Sequence, residues 1–165
     1  MSYLIVVAHP DDEVLGAGAT IYKLTQAGKK VAVCILCGQA AARKFRPGDN
    51  ELEKDTESCM KVLGVSKVFK GTFPNIKFNT VAHLDLVQFI ENAIVESGAT
   101  VVFTHHPADL NNDHLHASLA CQAAVRLFQR RTDIKPLDEL FYMEVPSATE
   151  WAECSDKQIS AKHVF

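Results

Sequence analysis

The chain predicts an α/β fold of three layers, a Rossmann-like arrangement in which a mostly parallel sheet is flanked by helices. Three observations carry that prediction. Short runs rich in β-branched residues alternate with longer segments of helical spacing. Glycine, asparagine and proline punctuate the junctions between them. Polar residues capable of chemistry gather where two of the apolar runs end, the edge at which open α/β sheets place their ligands. The 165 residues suffice for one core and read as a single domain, 1–165, since no repeat, low-complexity tract or linker divides them.

Leu4-Ile5-Val6-Val7-Ala8 is too short for a stable helix and suits a strand buried on both faces. From Val14 onward, the spacing of Val14, Leu15, Ile21 and Leu24 predicts a helix of about four turns to Gly28. Gly28-Lys29-Lys30 closes it with glycine and cations, and the run 31–37 supplies the second strand of a βαβ unit. Residues 38–50 predict a loop over the carboxyl edge, whose Arg43, Lys44 and Arg46 fit a solvated surface or a grip on an anionic substrate group equally well. Residues 51–64 predict a helix on the spacing of Leu52, Cys59, Val62 and Leu63, and 65–70 a short strand. Over 73–81 the signals conflict: Pro74 and Asn75 mark a turn, while alternation around Ile76 and Phe78 permits an extended or edge segment. Leu84, Leu86, Val87, Ile90, Ile94 and Val95 predict a helix ending near Gly98, and Thr100-Val101-Val102-Phe103-Thr104 another buried strand. A further helix begins near Leu115. The final Ala161-Lys162-His163-Val164-Phe165 looks like the entrance to another strand, which makes a C-terminally truncated domain one reading of the chain.

Lysine and arginine total 17 against 20 acidic residues, a formal charge of −3, so neither nucleic acid nor a membrane surface is an expected partner. Hydrophobic residues make up 47% of the chain, yet no apolar run approaches the ~20 residues of a membrane span. Met1-Ser2-Tyr3 carries no charged segment ahead of the apolar run, so the expected compartment is the cytoplasm. Self-association into a homo-oligomer is compatible with all of this. Five cysteines without a scaffold spacing suit a reducing compartment. Cys34 and Cys37 form C-x-x-C inside a strand, where positions three apart face opposite sides, so buried core is expected over redox or metal work.

His9-Pro10-Asp11-Asp12-Glu13 stands where the first strand gives way to the first helix. Proline and carboxylates suit any helix start, by tolerating the first turn and complementing the dipole. A protonated imidazole there is disfavoured, whereas neutral imidazole with carboxylate is a donor set for zinc. A second constellation, His105-His106-Pro107-Ala108-Asp109-Leu110-Asn111-Asn112-Asp113-His114-Leu115-His116, follows the strand 100–104 at the same edge. Asp109, Asn111 and Asp113 also fit Asx turns and a helix cap, and some should do both jobs. His105, His106, His114 and His116 could each complete a site with His9 and Asp12. Neighbours in each pair diverge, so about one of each faces the metal. Gly16-Ala17-Gly18 raises a nucleotide-binding alternative, but Ile21 breaks G-x-G-x-x-G, and the glycines better serve helix-to-sheet packing.

Together the two motifs, His9-Pro10-Asp11-Asp12-Glu13 and Asp109-x-Asn111-x-Asp113-His114, resemble the LmbE-like, or PIG-L, family of zinc-dependent N-acetylglucosaminide deacetylases. The resemblance runs from the first strand to Glu150-Trp151. It implies His9, Asp12 and His114 as ligands of Zn2+ or another divalent transition metal, Asp11 as general base and Asp113 as a supporting carboxylate. His105, His106 and His116 take lesser roles. The implied activity removes an N-acyl group, acetyl foremost, from an amino sugar or related small molecule, with metal-bound water as nucleophile. Two departures stand out. Asn111 occupies the place where some of these deacetylases carry a histidine, and asparagine can donate a hydrogen bond to an oxyanion but cannot act as an acid. The family's chains also usually continue beyond residue 165. A catalytically impaired metal- or sugar-binding module of the same fold is the alternative.

Overall fold

β1 (Ser2–Val7) lies at the centre of a five-stranded sheet, and Leu4, Ile5, Val6 and Val7 are wholly buried. Such runs are apolar on successive residues because helices cover both faces and leave no solvent side. The computed structural model describes residues 1–38, 48–145, 150–153 and 159–162. β2 (Lys30–Ile35) and β4 (Val101–His105) flank β1, with β3 (Lys67–Lys70) beyond β2 and β5 (Glu139–Met143) beyond β4. The order is β3-β2-β1-β4-β5 and every pairing in it is parallel. The chain reverses its direction of travel across the sheet between β1 and β4, so the crevice beyond their carboxyl ends is the topological switch point. β6 (Glu150–Glu153) and β7 (Ile159–Lys162) form a separate antiparallel pair.

Alternation along the strands sorts the core into two layers. Leu4, Val6 and Ala8 pack with Leu86 and Ile90 of α3 (His83–Ser97) and with Ala117 and Ala120 of α4 (Asn112–Ala124). Ile5 and Val7 pack with Ala17 and Ile21 of α1 (Asp12–Gln26) and with Met60 and Leu63 of α2 (Asp49–Leu63). The three-layer α/β fold expected from the sequence is therefore the fold observed. Among the described residues no helix is long and apolar enough to cross a membrane.

Several local readings change. α4 starts at Asn112, ahead of Leu115, because Asn111 caps it. Residues 73–81 hold no strand: a turn is followed by a single 3-10 turn at Phe78–Thr80, so proline and asparagine outweighed the alternation. β5 was not anticipated, although Leu140-Phe141-Tyr142-Met143 has the aromatic and apolar character of a strand. β2 ends at Ile35, so strand alternation does not reach Cys37, and Cys34 and Cys37 enter the same core layer instead of opposite faces. Neither is in a disulfide. Asp49 and Asn50 belong to α2, while Arg43, Lys44 and Arg46 lie outside the described residues. Of the final segment, β7 includes Ala161 and Lys162, and 163–165 lie outside them too. Gly16 serves close packing: a Cβ there would meet Val145 Cγ1 at 3.0 Å and Met143 Sδ at 3.1 Å. Gly18 has no such neighbour outside its own helix.

Candidate active site

At the end of β1 the chain must leave the core and start α1 within a few residues, and it does so through strain. Asp11, the N-cap of α1, has φ 122°, a region sparsely open to residues other than glycine. Its carbonyl accepts the amides of Val14 and Leu15 at 3.0 Å each, and its own N–H donates to Glu13 Oε2 at 3.1 Å. Asp12 Oδ2 accepts the His9 N–H at 2.8 Å. The carboxylates therefore grip the backbone of the corner itself, and the N-cap side chain of Asp11 makes no cap hydrogen bond to α1.

The β4–α4 connection is built differently. Asp109 Oδ1 accepts the Asn111 N–H at 2.8 Å, an Asx turn, and Asn111 Oδ1 accepts the amides of Asp113 at 2.9 Å and His114 at 3.4 Å. That cap puts Asp113 and His114 in the first turn of α4, both buried. Asp113 Oδ2 also accepts the Ile76 N–H at 2.6 Å, and its Oδ1 the Phe78 N–H at 3.0 Å.

The two connections meet around Asp12. Its Oδ2 lies 3.4 Å from His9 Nδ1 and 3.3 Å from His114 Nε2. Donors at ~2.0–2.1 Å from a tetrahedral ion stand about 3.4 Å apart, so this spacing fits zinc. The remaining ring nitrogens are held from behind: His9 Nε2 meets Asp113 Oδ2 at 3.0 Å, and His114 Nδ1 meets Asp109 Oδ2 at 2.9 Å. Carboxylates so placed fix the tautomer and the ring orientation of metal-binding histidines. A second group, His105, Asp109 and His114, has the spacing for an ion as well. The rings of His105 and His114 stack at 4.0 Å and 12°, however, so their lone pairs run parallel and do not converge. His105 Nε2 is moreover engaged with the Ala8 N–H at 2.9 Å. The rings of His9 and His114 are inclined by 48°, which allows convergence.

The electrostatics mirror this geometry. Burial disfavours a charged His9, but hydrogen bonds to Asp113 and Asp12 prevail and raise its pKa. The same contest at His114, won by Asp109 and then Asp12, pushes its pKa up to about 9. Asp12 is buried, yet His114 and His9 hold its carboxyl well below the usual range. Burial, aided by His114, drives His105 down to about 3 and keeps it neutral. Glu13 goes the other way, pushed up to about 7 by burial with the charges of Asp12 and Asp11 adding to it. The cluster thus favours positive charge at its centre.

Of the other expected residues, Asp11 is partly exposed beside Asp12 and Asn111 is committed to the cap. His106 is exposed, its Nδ1 accepting the Ala108 N–H and its ring 6.0 Å from Tyr142. His116 is half-buried and joins neither histidine group. The specific role of Asp109 behind His114 was missed, although its place five residues ahead was a usable signal. The role of the Ile76 and Phe78 amides had no signal in the sequence, because backbone groups carry none.

A family profile described as PIG-L, GlcNAc-PI de-N-acetylase, matches residues 4–125. The Escherichia coli (strain K12) protein described as uncharacterized deacetylase YaiS is 29% identical over 131 residues, covering 74% of this chain and 67% of its own. The crystal structure of the conserved protein TT1542 from Thermus thermophilus superposes with a TM-score of 0.74 at 26% identity, over 87% of this chain and 66% of that one. The N,N'-diacetylchitobiose deacetylase of Pyrococcus horikoshii shares the fold at TM-score 0.71 and 18% identity, over 94% of this chain and 64% of its own. This chain thus spans about two thirds of the length of these proteins.

Proposed function

Because the chain belongs to the PIG-L, GlcNAc-PI de-N-acetylase family, we propose that it hydrolyses an N-acyl bond, acetyl foremost, on an amino sugar or related small molecule. One observation carries this reading. His9 Nδ1 and His114 Nε2 stand 3.4 and 3.3 Å from Asp12 Oδ2, the three residues offer ligand atoms within 4.8 Å of one another, and each imidazole is backed by its own buried carboxylate. Zinc or another divalent transition metal held there would lower the pKa of a water toward 7 and polarise the acyl carbonyl. Asp113 and Asp109 keep the two imidazoles aimed, and neutral His105 walls the site beneath His114.

Asp11 is the residue left to move protons. It neighbours Asp12 in the chain, stands outside both candidate ligand groups and remains partly open to solvent. Its carboxylate takes the proton of the attacking water and returns it to the nitrogen as the C–N bond breaks. Asn111 has spent its carbonyl oxygen on the α4 cap, so only its N–H2 is available to the acyl oxygen. It can steady a developing oxyanion but cannot deliver a proton, which leaves both transfers to Asp11. The substrate is taken to be a cytoplasmic small molecule.

The test pairs zinc analysis of the purified protein with fluorescamine detection of primary amine released from a panel of N-acetyl sugars. About one zinc per chain with amine release is the expected result. Zinc without amine release favours the alternative, a binding module of the same fold. Neither zinc nor amine would remove the reading altogether.

A further inference from the structure

Among the described residues, two other than glycine have positive φ: Asp11 at 122° and Ile76 at 57°. Asp11 is two residues from His9 in the chain, and Ile76 is linked to it through Asp113. The strain at Asp11 has its account in the tight corner that presents a carboxylate next to Asp12. At Ile76 the tie to Asp113 fixes the backbone, but nothing in the fold accounts for a β-branched residue at that position. A β-branched residue is among the least suited to the left-handed region, and its side chain is 49% exposed, so no core burial offsets the strain.

Its position is tightly defined. The Ile76 N–H donates to Asp113 Oδ2 at 2.6 Å, the same oxygen that meets His9 Nε2 at 3.0 Å. The next anchor, the Phe78 N–H, holds the other oxygen of Asp113 at 3.0 Å, and the Phe78 ring is fully buried against His9 with centroids 6.2 Å apart. Residues 76 and 78 hold Asp113 through their backbone amides, which glycine or asparagine at 76 would supply with less strain. What isoleucine adds is only its side chain: a stiff, branched, apolar group, exposed to solvent and carried on a backbone tied to the carboxylate that holds His9. Observed strain near a reacting centre points to function.

We propose that Ile76 is a specificity-determining residue whose side chain forms an apolar wall for the aliphatic C–H surface of the substrate next to the amide. The proposal rests on the deacylase reading of the site. Two parts of such a substrate offer that surface, the acyl chain and the sugar with its aglycone, and the experiment separates them.

The full-length zinc-loaded protein, with Ile76→Asn and Ile76→Val, is compared on N-acetyl, N-propionyl and N-butanoyl glucosamine and on methyl and octyl N-acetylglucosaminides. Ile76→Asn should melt at or above the wild-type temperature while its kcat/KM falls about tenfold, mainly through KM, the scale of one lost apolar contact. Ile76→Val should retain most of the activity. A loss that grows along the acyl series assigns the wall to the acyl chain, and one that grows from methyl to octyl assigns it to the aglycone. Unchanged kcat/KM in Ile76→Asn overturns the proposal while leaving deacylation standing, and a melting temperature that drops with activity overturns it in favour of a purely structural role. If the wild type releases no amine, the deacylase reading fails separately. Calorimetric titration with the octyl glycoside then decides: a tenfold weaker Kd in Ile76→Asn upholds the contact, and equal binding removes it.

Discussion

The β1–α1 corner and the segment around Ile76 reach the same histidine by the same device, yet they differ in how far the device extends along the chain. In each, a residue with positive φ is fixed by donating its N–H to a buried carboxylate, Asp11 to Glu13 and Ile76 to Asp113. At the corner, donor and acceptor are two residues apart; at the other they are 37 apart. The corner is a local motif that carries its own geometry wherever α1 forms. The Ile76 segment exists only once α4 has docked. The proposed reading thus puts chemistry on the part that organises itself, and shaping of the site on the part that depends on tertiary structure.

If the corner carries the chemistry, removing the Asp11 carboxylate should have the largest effect of any substitution. Asp11→Ala is expected to lower turnover by about 10²–10⁴-fold, the usual contribution of a positioned acid–base group. Zinc content should stay near one per chain, because Asp11 is outside the group formed by His9, Asp12 and His114. Measured together, the two quantities separate a proton carrier from a ligand. Turnover within a few-fold of wild type would sink the assignment, and loss of zinc would recast Asp11 as part of the metal shell.

Breaking the distant device should do less to the chemistry and more to the framework. Asp113→Ala strips a partner from His9 Nε2 and from the amides of Ile76 and Phe78. With each orphaned donor costing ~1–3 kcal/mol, about 3–5 kcal/mol of stability should go. Zinc affinity should fall about 10–100-fold with the orientation of His9. Asp109→Ala removes the partner of His114 and one turn hydrogen bond, so it should match the loss of affinity at a smaller cost in stability. Denaturant melts alongside competitive zinc titrations check both, and equal destabilisation by the two variants would contradict the distinction.

The same contrast explains what was legible in the chain. Strand runs such as Leu4-Ile5-Val6-Val7 announce themselves because burial on both faces constrains nearly every residue, and β1, β2 and β4 follow from that. His9 and Asp12 were readable because the motif is contiguous. His114 could not be chosen over His105 by spacing alone, since the choice turns on a 12° stack and on the Ala8 N–H occupying His105 Nε2. In 73–81 the turn signal of Pro74 and Asn75 was legible, whereas the tie of the Ile76 and Phe78 amides to Asp113, far away in sequence, was not. β5 was overlooked as the last strand at the edge of the sheet, where Phe141 and Tyr142 stay exposed and the apolar pattern is diluted by Glu139.

The smallest expected effect distinguishes the two carboxylates that hold the strained amides. Asp113 is buried, but hydrogen bonds from His9 and from the Phe78 and Ile76 amides keep its pKa below the ordinary value. Its contribution to stability is present above the pKa of an unfolded aspartate and fades as the pH falls through the lower folded value. Glu13, 2% exposed, is pushed up to about 7 from 4.5 by burial. Below pH 4.5 it is protonated whether the chain is folded or not, and nothing is lost. Between 4.5 and about 7 the unfolded chain alone ionises, so stability declines as the pH rises and then levels off. In the metal-free protein that decline amounts to up to about 3 kcal/mol. Glu13→Gln, which can still accept the Asp11 N–H, should therefore melt like wild type near pH 4.5 and several degrees higher near pH 8. A difference in melting temperature that is the same at both values would mean that Glu13 folds already ionised, and that the corner is held by a charged carboxylate as the Ile76 segment is.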